Sequence, residues 1–198
     1  MSILAIELKT ISGIPLHPLI VHVPVILVPL AFVGAVLALV RPPWRSWALT
    51  LVAVFAGISL VGVQLALQSG EGLEEILDEE SALIEQHAQL AEQARPMVFA
   101  FFMFALAAAV IFHLIARAER RDDVDGGRIP LMRKLLVPVM ALSVLTGALS
   151  LTWVYRTGHT GAESVWKSED DAKSEKSGDR APAEGERDGD GDSDADGD

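Results

Sequence analysis

Histidines are the side chains of this 198-residue chain whose type and spacing could support cofactor chemistry. His17 and His22 lie in the segment GIPLHPLIVHVPVILVP, at the start of a long apolar run. His87 lies in EQHAQLAEQAR, and His159 lies in YRTGHTGAESVW. Neutral imidazole is a ligand that both zinc and haem iron accept. The chain contains no cysteine, which excludes disulfides, thiolate metal sites, iron–sulfur clusters and a covalently attached haem.

The spacing within the first segment restricts how its two histidines can act. His17 and His22 are five positions apart, which places them about 140° apart around an ideal helix. They therefore cannot chelate one ion as an i, i+4 pair would. Either a distortion of the helix at Pro24 brings the two rings together, or each pairs with a histidine on another helix. The second arrangement is the one that cofactor ligands adopt in helical bundles. The pairs His22–His87 and His17–His159 both satisfy this condition, and the sequence does not decide between them.

Four apolar stretches supply the helices that would carry these residues. Each has roughly 20 mostly apolar residues, the length that crosses a bilayer, and none has a charged residue in its interior. They are apolar all round, unlike the one-sided helices of soluble proteins. The predicted fold is an all-α membrane protein, a bundle of four transmembrane helices. An N-terminal outer segment, 1–17, precedes a membrane domain, 18–162, with spans at about 18–40, 48–68, 96–116 and 135–155.

The charges of the connecting loops predict the orientation. Residues 41–47 hold two arginines and no acid, and residues 117–134 hold five arginines and a lysine. Residues 69–95 hold eight acids and one arginine. Because loops rich in positive charge stay in the cytoplasm, both termini and the acidic loop are expected outside, in a multi-pass protein of the plasma membrane. The four histidines introduced above then share the outer face, whereas His113 lies near the inner one.

The acidic loop predicts a further helix. In residues 69–95 apolar residues recur at helical spacing, and His87 lies beside that stripe. We expect an amphipathic helix at the outer face, with His87 turned towards the bundle and the acids in water.

Most of the negative charge belongs to the C-terminal segment. Of the formal net charge of −11, residues 163–198 carry −9, from 14 acidic and 5 basic residues. A segment of this composition cannot bury enough apolar surface to fold. Residues 163–198 are therefore predicted to form a disordered acidic tail, and the acidity says little about partners of the membrane domain.

Taken together, these segments resemble the bacterial membrane proteins catalogued as domain of unknown function 2231. The resemblance rests on GIPLHPLIVHVPV, SGEGLEE, EQHAQLAEQAR and YRTGHTGAESVW, and it covers about residues 12–167. It implies a four-span membrane domain whose recurrent histidines correspond to His17, His22, His87 and His159. It implies no particular activity, but it favours a shared polar or ligand site at these four positions.

Three functions are open from the sequence, and none of them assigns a catalytic residue. In the first, pairs of the four histidines bind a b-type haem for electron transfer in a redox carrier or subunit. In the second, the same imidazoles bind zinc or copper, with Glu71, Glu74 or Glu85 as oxygen ligands. In the third, the histidines are structural in a non-catalytic accessory or scaffold protein. The expected partners are the lipid bilayer and either a membrane redox partner or further copies of the chain.

Other classes of protein have less support. Four spans without evident repeated halves or broken helices do not suggest a secondary carrier. No G-x-S-x-G segment or other nucleophile–base arrangement indicates a hydrolase. The acidic balance opposes nucleic-acid binding, and no nucleic-acid motif is present.

Overall fold

The structure is a computed structural model that describes residues 10–11, 14–77, 82–121 and 128–178. The chain divides into two compact units, Met1–Ser164 and Val165–Asp198, and the first unit holds the bundle. Four helices make up almost all of the described residues. They are α1, Leu16–Val40; α2, Arg45–Leu77; α3, Ala82–Glu119; and α4, Arg128–Gly178.

All four helices are long and apolar enough to cross a membrane, which confirms the predicted four-helix membrane fold. Large apolar side chains line their outer faces, and Ile26, Leu30 and Val61 are each more than half exposed. A water-soluble protein rarely exposes apolar surface of this extent, whereas lipid tails cover it readily. Helices suit this environment because each satisfies its backbone hydrogen bonds internally.

Three layers of mostly small side chains hold the helices together, because small residues let helix backbones approach closely. One layer consists of four valines, one from each helix. The middle layer is built around Phe101, and the third is built around alanines and Met140. The valine layer is Val28, Val63, Val98 and Val154; the middle layer includes Ala31, Ala35, Val52, Ala56 and Ala105; the third includes Ala38, Leu49 and Ala108. Residue numbers rise through the layers on α1 and α3 and fall on α2 and α4, so neighbouring helices are antiparallel.

The turn between α1 and α2 is set by prolines and by one arginine. Pro42–Trp44 form a single 3-10 turn, since the residue before a proline does not favour a helical conformation. Arg45 donates from Nε to the carbonyl oxygen of Ala38 at 3.1 Å and from Nη2 to that of Leu39 at 3.4 Å. These carbonyls belong to the last turn of α1, where carbonyl groups have no hydrogen-bond partners within the helix. Arg45 therefore caps α1 and fixes the α1–α2 hairpin.

Several boundaries differ from the predicted ones. The amphipathic helix expected in the acidic loop is the first part of α3 and not a separate element, because α3 is continuous from Ala82. The last helix, α4, continues to Gly178, well beyond the predicted end at 155 and the predicted start of the tail at 163. Residues 179–198 lie outside the described residues, so the disordered tail there stays a prediction.

A short antiparallel ladder before α1 was not predicted. In it, β1 (Thr10–Ile11) pairs with β2 (Ile14–Pro15), and Ile11 lies opposite Ile14. With two residues in each strand, this ladder leaves the all-α class unchanged.

Phe101 is the largest side chain of the middle layer and is fully buried. Its truncation leaves a cavity, so we expect Phe101→Ala to lower the free energy of unfolding by about 3–5 kcal/mol. The matched control is Phe99→Ala on the same helix, because Phe99 is 51% exposed and its loss should cost roughly 0.5 kcal/mol or less. Unfolding in detergent micelles, followed by circular dichroism, measures both. Equal losses for the two variants would contradict the layered core.

Candidate functional site

The polar groups that could act chemically meet at one end of the bundle, which we call the histidine end. It consists of His17 on α1, His87 on α3, residues 66–70 of α2 and residues 157–161 of α4. The antiparallel order of the helices explains the meeting. The N-terminal parts of α1 and α3 and the later parts of α2 and α4 all lie beyond the valine layer.

His17 is half-buried in the first turn of α1 and directs its Nδ1 atom at α2. Nδ1 lies 3.0 Å from the carbonyl oxygen of Ala66 and 3.2 Å from Oγ of Ser69. Ser69 is buried and donates its hydroxyl proton to the same Ala66 carbonyl at 3.0 Å. The imidazole therefore meets a carbonyl and a hydroxyl that lie three residues apart on α2.

His87 makes the corresponding contacts with α4. Its Nδ1 atom lies 2.9 Å from the carbonyl oxygen of Thr157 and 3.4 Å from Oγ1 of Thr160. Thr160 donates to the Thr157 carbonyl at 3.0 Å. Here too the ring is half-buried against a carbonyl and a hydroxyl three residues apart.

These contacts determine which nitrogen of each ring carries the proton. A carbonyl oxygen accepts a hydrogen bond but has no proton to donate, and each hydroxyl already gives its own proton to that carbonyl. Nδ1 of His17 and Nδ1 of His87 are therefore the donating nitrogens. In a neutral imidazole the Nε2 atom then keeps its lone pair for a ligand. No hydrogen bond within the described part of the chain uses Nε2 of either ring.

Two glycines let the helices approach the rings. A Cβ atom on Gly161 would lie 2.8 Å from Cε1 and 3.0 Å from Nδ1 of His87, which is closer than side chains normally come. A Cβ atom on Gly70 would lie 3.3 Å from Cε1 of His17. Gly158 has no such neighbour among the described residues, since none of their atoms is found within 4 Å of the position its Cβ would take. The absence of a side chain at Gly161 therefore determines where the ring of His87 can lie.

The two oriented imidazoles lie close to each other. The ring centroids of His17 and His87 are 6.3 Å apart, and the ring planes are inclined at 82°. A metal ion between two imidazole nitrogens, about 2.0–2.1 Å from each, keeps the ring centroids roughly 6 Å apart, because each centroid lies behind its own nitrogen. The spacing of the His17 and His87 centroids matches that distance. Neither of the pairs considered from the sequence is the pair that the structure brings together.

The other histidines lie apart from this pair. His22 is exposed, and its Nδ1 atom lies 2.5 Å from the carbonyl oxygen of Pro18 in its own helix. His159 is also exposed and lines a shallow pocket of about 170 Å³ beside Tyr155, with ring centroids 6.1 Å apart. His113 lies on α3 beyond the third layer, near the opposite end of the bundle. Of the four predicted ligands, His17 and His87 are the two in ring contact.

The carboxylates among the described residues do not complete a metal site around the pair. Glu71 and Glu85 are exposed, and Glu85 accepts a hydrogen bond from Gln89 at 3.2 Å. The side chain of Glu74 falls outside what the structure describes. Within the described ranges, no group of three or more histidine, cysteine, aspartate or glutamate side chains is placed to bind a metal ion. The site therefore offers two nitrogen donors.

A larger surface groove does not contain the histidine pair. It lies between α2 and α3 and has a volume of about 870 Å³. Its lining includes Gln64, Glu92 and Phe99 but no histidine. Phe99 and Val61 in the groove are exposed, so we assign it to the lipid-facing surface.

The sequence analysis identified both rings but missed the groups that orient them. The orienting groups are Ser69 and Gly70 after the second span, and Thr160 and Gly161 after the fourth. A hydroxyl residue followed by glycine stands in each of these two segments, SGEG and HTGAE. This repeated sequence pattern was the signal from which the orienting groups could have been identified.

Comparison with known proteins gives one match. The model of a family described as "Predicted membrane protein (DUF2231)" matches residues 13–170, which is most of the chain. No curated protein and no solved structure matches it. The matched range includes all four helices as far as the histidine end, together with every residue that contacts the two rings.

Proposed function

Since the chain belongs to the DUF2231 family of predicted membrane proteins, we propose that it is a membrane haem protein in which His17 and His87 ligate a b-type haem for electron transfer. The observation that carries this proposal is the pair of imidazoles with centroids 6.3 Å apart. Bound haem supplies reversible one-electron chemistry. His17 and His87 would hold the haem through their ring nitrogens, and their contacts with α2 and α4 would orient the two rings.

The number of donors favours haem over zinc. A structural zinc site takes four protein ligands, and a catalytic site takes three. The described residues around His17 and His87 supply two nitrogens and no carboxylate. Haem needs no more than two protein ligands, because the macrocycle provides the other four nitrogens. Two isolated imidazoles therefore fit haem better than they fit zinc.

The hydrogen bonds at Nδ1 also fit a ligand role. Histidines that bind metals usually donate their second ring N–H to a carbonyl or carboxylate, which fixes the tautomer and makes the ligating nitrogen more basic. The carbonyl oxygens of Ala66 and Thr157 accept these protons at 3.0 and 2.9 Å. Both imidazoles are thus prepared to bind through Nε2.

The location of the pair supports exchange of electrons at one membrane surface. Cofactors of helical bundles are held between facing helices, as His17 on α1 and His87 on α3 would hold this one. We place the histidine end at the outer face of the plasma membrane because the loops at the other end carry the arginines. A redox partner would then reach the haem from the outer surface.

The absorption spectrum of the purified full-length chain tests this function. The protein is expressed with a haem supply and purified in detergent, and its haem, zinc and copper are quantified. We expect one non-covalent haem b per chain, with a Soret band that shifts on reduction. A colourless protein that takes up no haem on reconstitution would contradict the proposal and favour an accessory protein with structural histidines. Stoichiometric zinc or copper in place of haem would contradict it as well.

A further inference from the structure

The two half-sites of the histidine end are built in the same way. On α2, the carbonyl of Ala66, the hydroxyl of Ser69 and then Gly70 contact one imidazole. On α4, the carbonyl of Thr157, the hydroxyl of Thr160 and then Gly161 contact the other. Carbonyl, hydroxyl and glycine thus stand at positions i, i+3 and i+4 in both helices.

This correspondence fixes how the two halves of the chain align. His17 coincides with His87 when 70 is added to residue numbers of α1, and Ser69 coincides with Thr160 when 91 is added to those of α2. Each helix of a bundle has one buried face, which recurs every 3.6 residues. The buried positions of any two helices therefore match by chance at about one alignment in four. Here the half-sites fix both registers before burial is compared.

Burial then matches along the whole bundle. Five of the six buried residues of α1 correspond to buried residues of α3, and five of the six on the described part of α4 correspond to buried residues of α2. The matched pairs of α1 and α3 are Pro24–Ala94, Val28–Val98, Ala31–Phe101, Ala35–Ala105 and Ala38–Ala108. The matched pairs of α2 and α4 are Leu49–Met140, Val52–Ser143, Ala56–Gly147, Ser59–Ser150 and Val63–Val154.

Contacts repeat as well as burial. Ser59 donates to the carbonyl of Phe55 at 2.7 Å, and its counterpart Ser150 donates to that of Thr146, the counterpart of Phe55, at 2.8 Å. The four valines of the first layer are two corresponding pairs. The sequence carries the same signal, S-L-x-x-V-x-x-x-x-x-[ST]-G, in SLVGVQLALQSG and SLTWVYRTGHTG. The two halves thus correspond in sequence as well as in burial and contacts, a correspondence that the sequence analysis did not find.

We propose that the chain is a tandem repeat of one helical hairpin and that Ser69 and Thr160 are equivalent positioning residues. Helices α1 and α3 run in the same direction, so the halves are related by an approximate two-fold axis along the bundle. His17 and His87 lie on opposite sides of that axis, and a ligand between them meets the same surroundings from both halves. The identity of that ligand as haem rests on the proposed function, whereas the repeat does not.

The repeat also separates the four histidines into two classes. His17 and His87 correspond to each other, but His22 corresponds to Glu92 and His159 corresponds to Gln68. A ligand on the axis therefore has histidine on both sides only through the first pair. His22 and His159 have no histidine counterpart, so the proposal gives them no part in holding the ligand.

The tautomers of the two rings test the positioning roles without any haem. The full-length chain, labelled with nitrogen-15 at histidine, is studied by NMR in detergent micelles, and the rings are assigned with His17→Gln and His87→Gln. We expect both rings in the Nδ1–H form. Ser69→Ala should shift the Nδ1 resonance of His17 alone, and Thr160→Ala should shift that of His87 alone, because each variant removes one of the two oxygens beside that nitrogen. The equivalent serine variants Ser59→Ala and Ser150→Ala should leave both rings unchanged.

An exchange of the two hydroxyl residues covers the case in which an alanine variant does not fold. The double variant Ser69→Thr, Thr160→Ser should retain both tautomers if the positions are equivalent. A response of one ring only, or loss of either tautomer in the exchange variant, would overturn the equivalence. A colourless protein with equal responses would refute the haem and keep the repeat, whereas a haem protein with unequal responses would do the reverse.

Discussion

The His17→Ala and His87→Ala variants are expected to lose haem, with the Soret absorbance per chain falling to the level of a haem-free membrane protein. Each substitution would remove one of the two nitrogens proposed to hold the haem, and no third histidine, cysteine or carboxylate of the described residues stands ready to replace it. The measurement is the haem-to-protein ratio of each variant after purification with haem supplied in excess.

His22→Ala and His159→Ala are the matched controls for this experiment. Both residues lie within the range that the family model matches, and both are exposed. We expect each control to retain the haem-to-protein ratio of the unmodified chain. Loss of haem from a control, with retention in His17→Ala, would show that the ligand pair is wrongly assigned.

The second large effect is expected from Gly161→Ala, which adds a single methyl group. Its Cβ would lie 2.8 Å from Cε1 of His87, so the ring must move away from its present position. We expect haem affinity to fall at least tenfold, which is about 1.4 kcal/mol. The helix itself should not suffer, since alanine favours a helix over glycine by about 1 kcal/mol. Haem titration of the reconstituted variant measures the change.

Gly158→Ala separates this steric effect from a general effect on α4. Gly158 lies three residues earlier in the same helix, and in the part of the chain that the structure describes nothing lies within 4 Å of where its Cβ would be. We expect unchanged haem affinity and equal or slightly higher thermal stability. Equal losses of affinity in the two variants would rule out the contact with His87 as the cause.

The fold could be predicted because hydropathy alone decides it. Apolar runs of bilayer length cross the membrane as helices, since a helix satisfies the hydrogen bonds of its backbone within the segment itself. The predicted first span, 18–40, is within two residues of α1. The ends of α2, α3 and α4 were less predictable. These helices continue beyond their apolar stretches into polar residues, some of which pack at the histidine end. Hydropathy predicts only the apolar part of each helix, so it does not predict where the polar part ends.

The pairing of the histidines could not be predicted, because it depends on the rotation of each helix about its own axis. His17 and His22 differ by about 140° around α1, so a rotation of that size exchanges which of them faces the bundle. Burial of Val28 and Ala31 on the His17 side fixes the rotation. The hydroxyl–glycine pairs at Ser69 and Thr160 indicate which rings are oriented by the neighbouring helices. They can be recognised as a signal only when the two halves of the chain are compared.

Electron paramagnetic resonance of the oxidised, haem-loaded full-length chain tests the central claim most directly. Two imidazoles on one ferric iron produce a low-spin signal, and ring planes inclined at 82° should give it the large anisotropy of nearly perpendicular axial ligands. We predict that signal in the unmodified chain and its disappearance in His17→Ala and in His87→Ala. A high-spin signal from the unmodified chain, or a low-spin signal that survives both substitutions, would contradict ligation by His17 and His87.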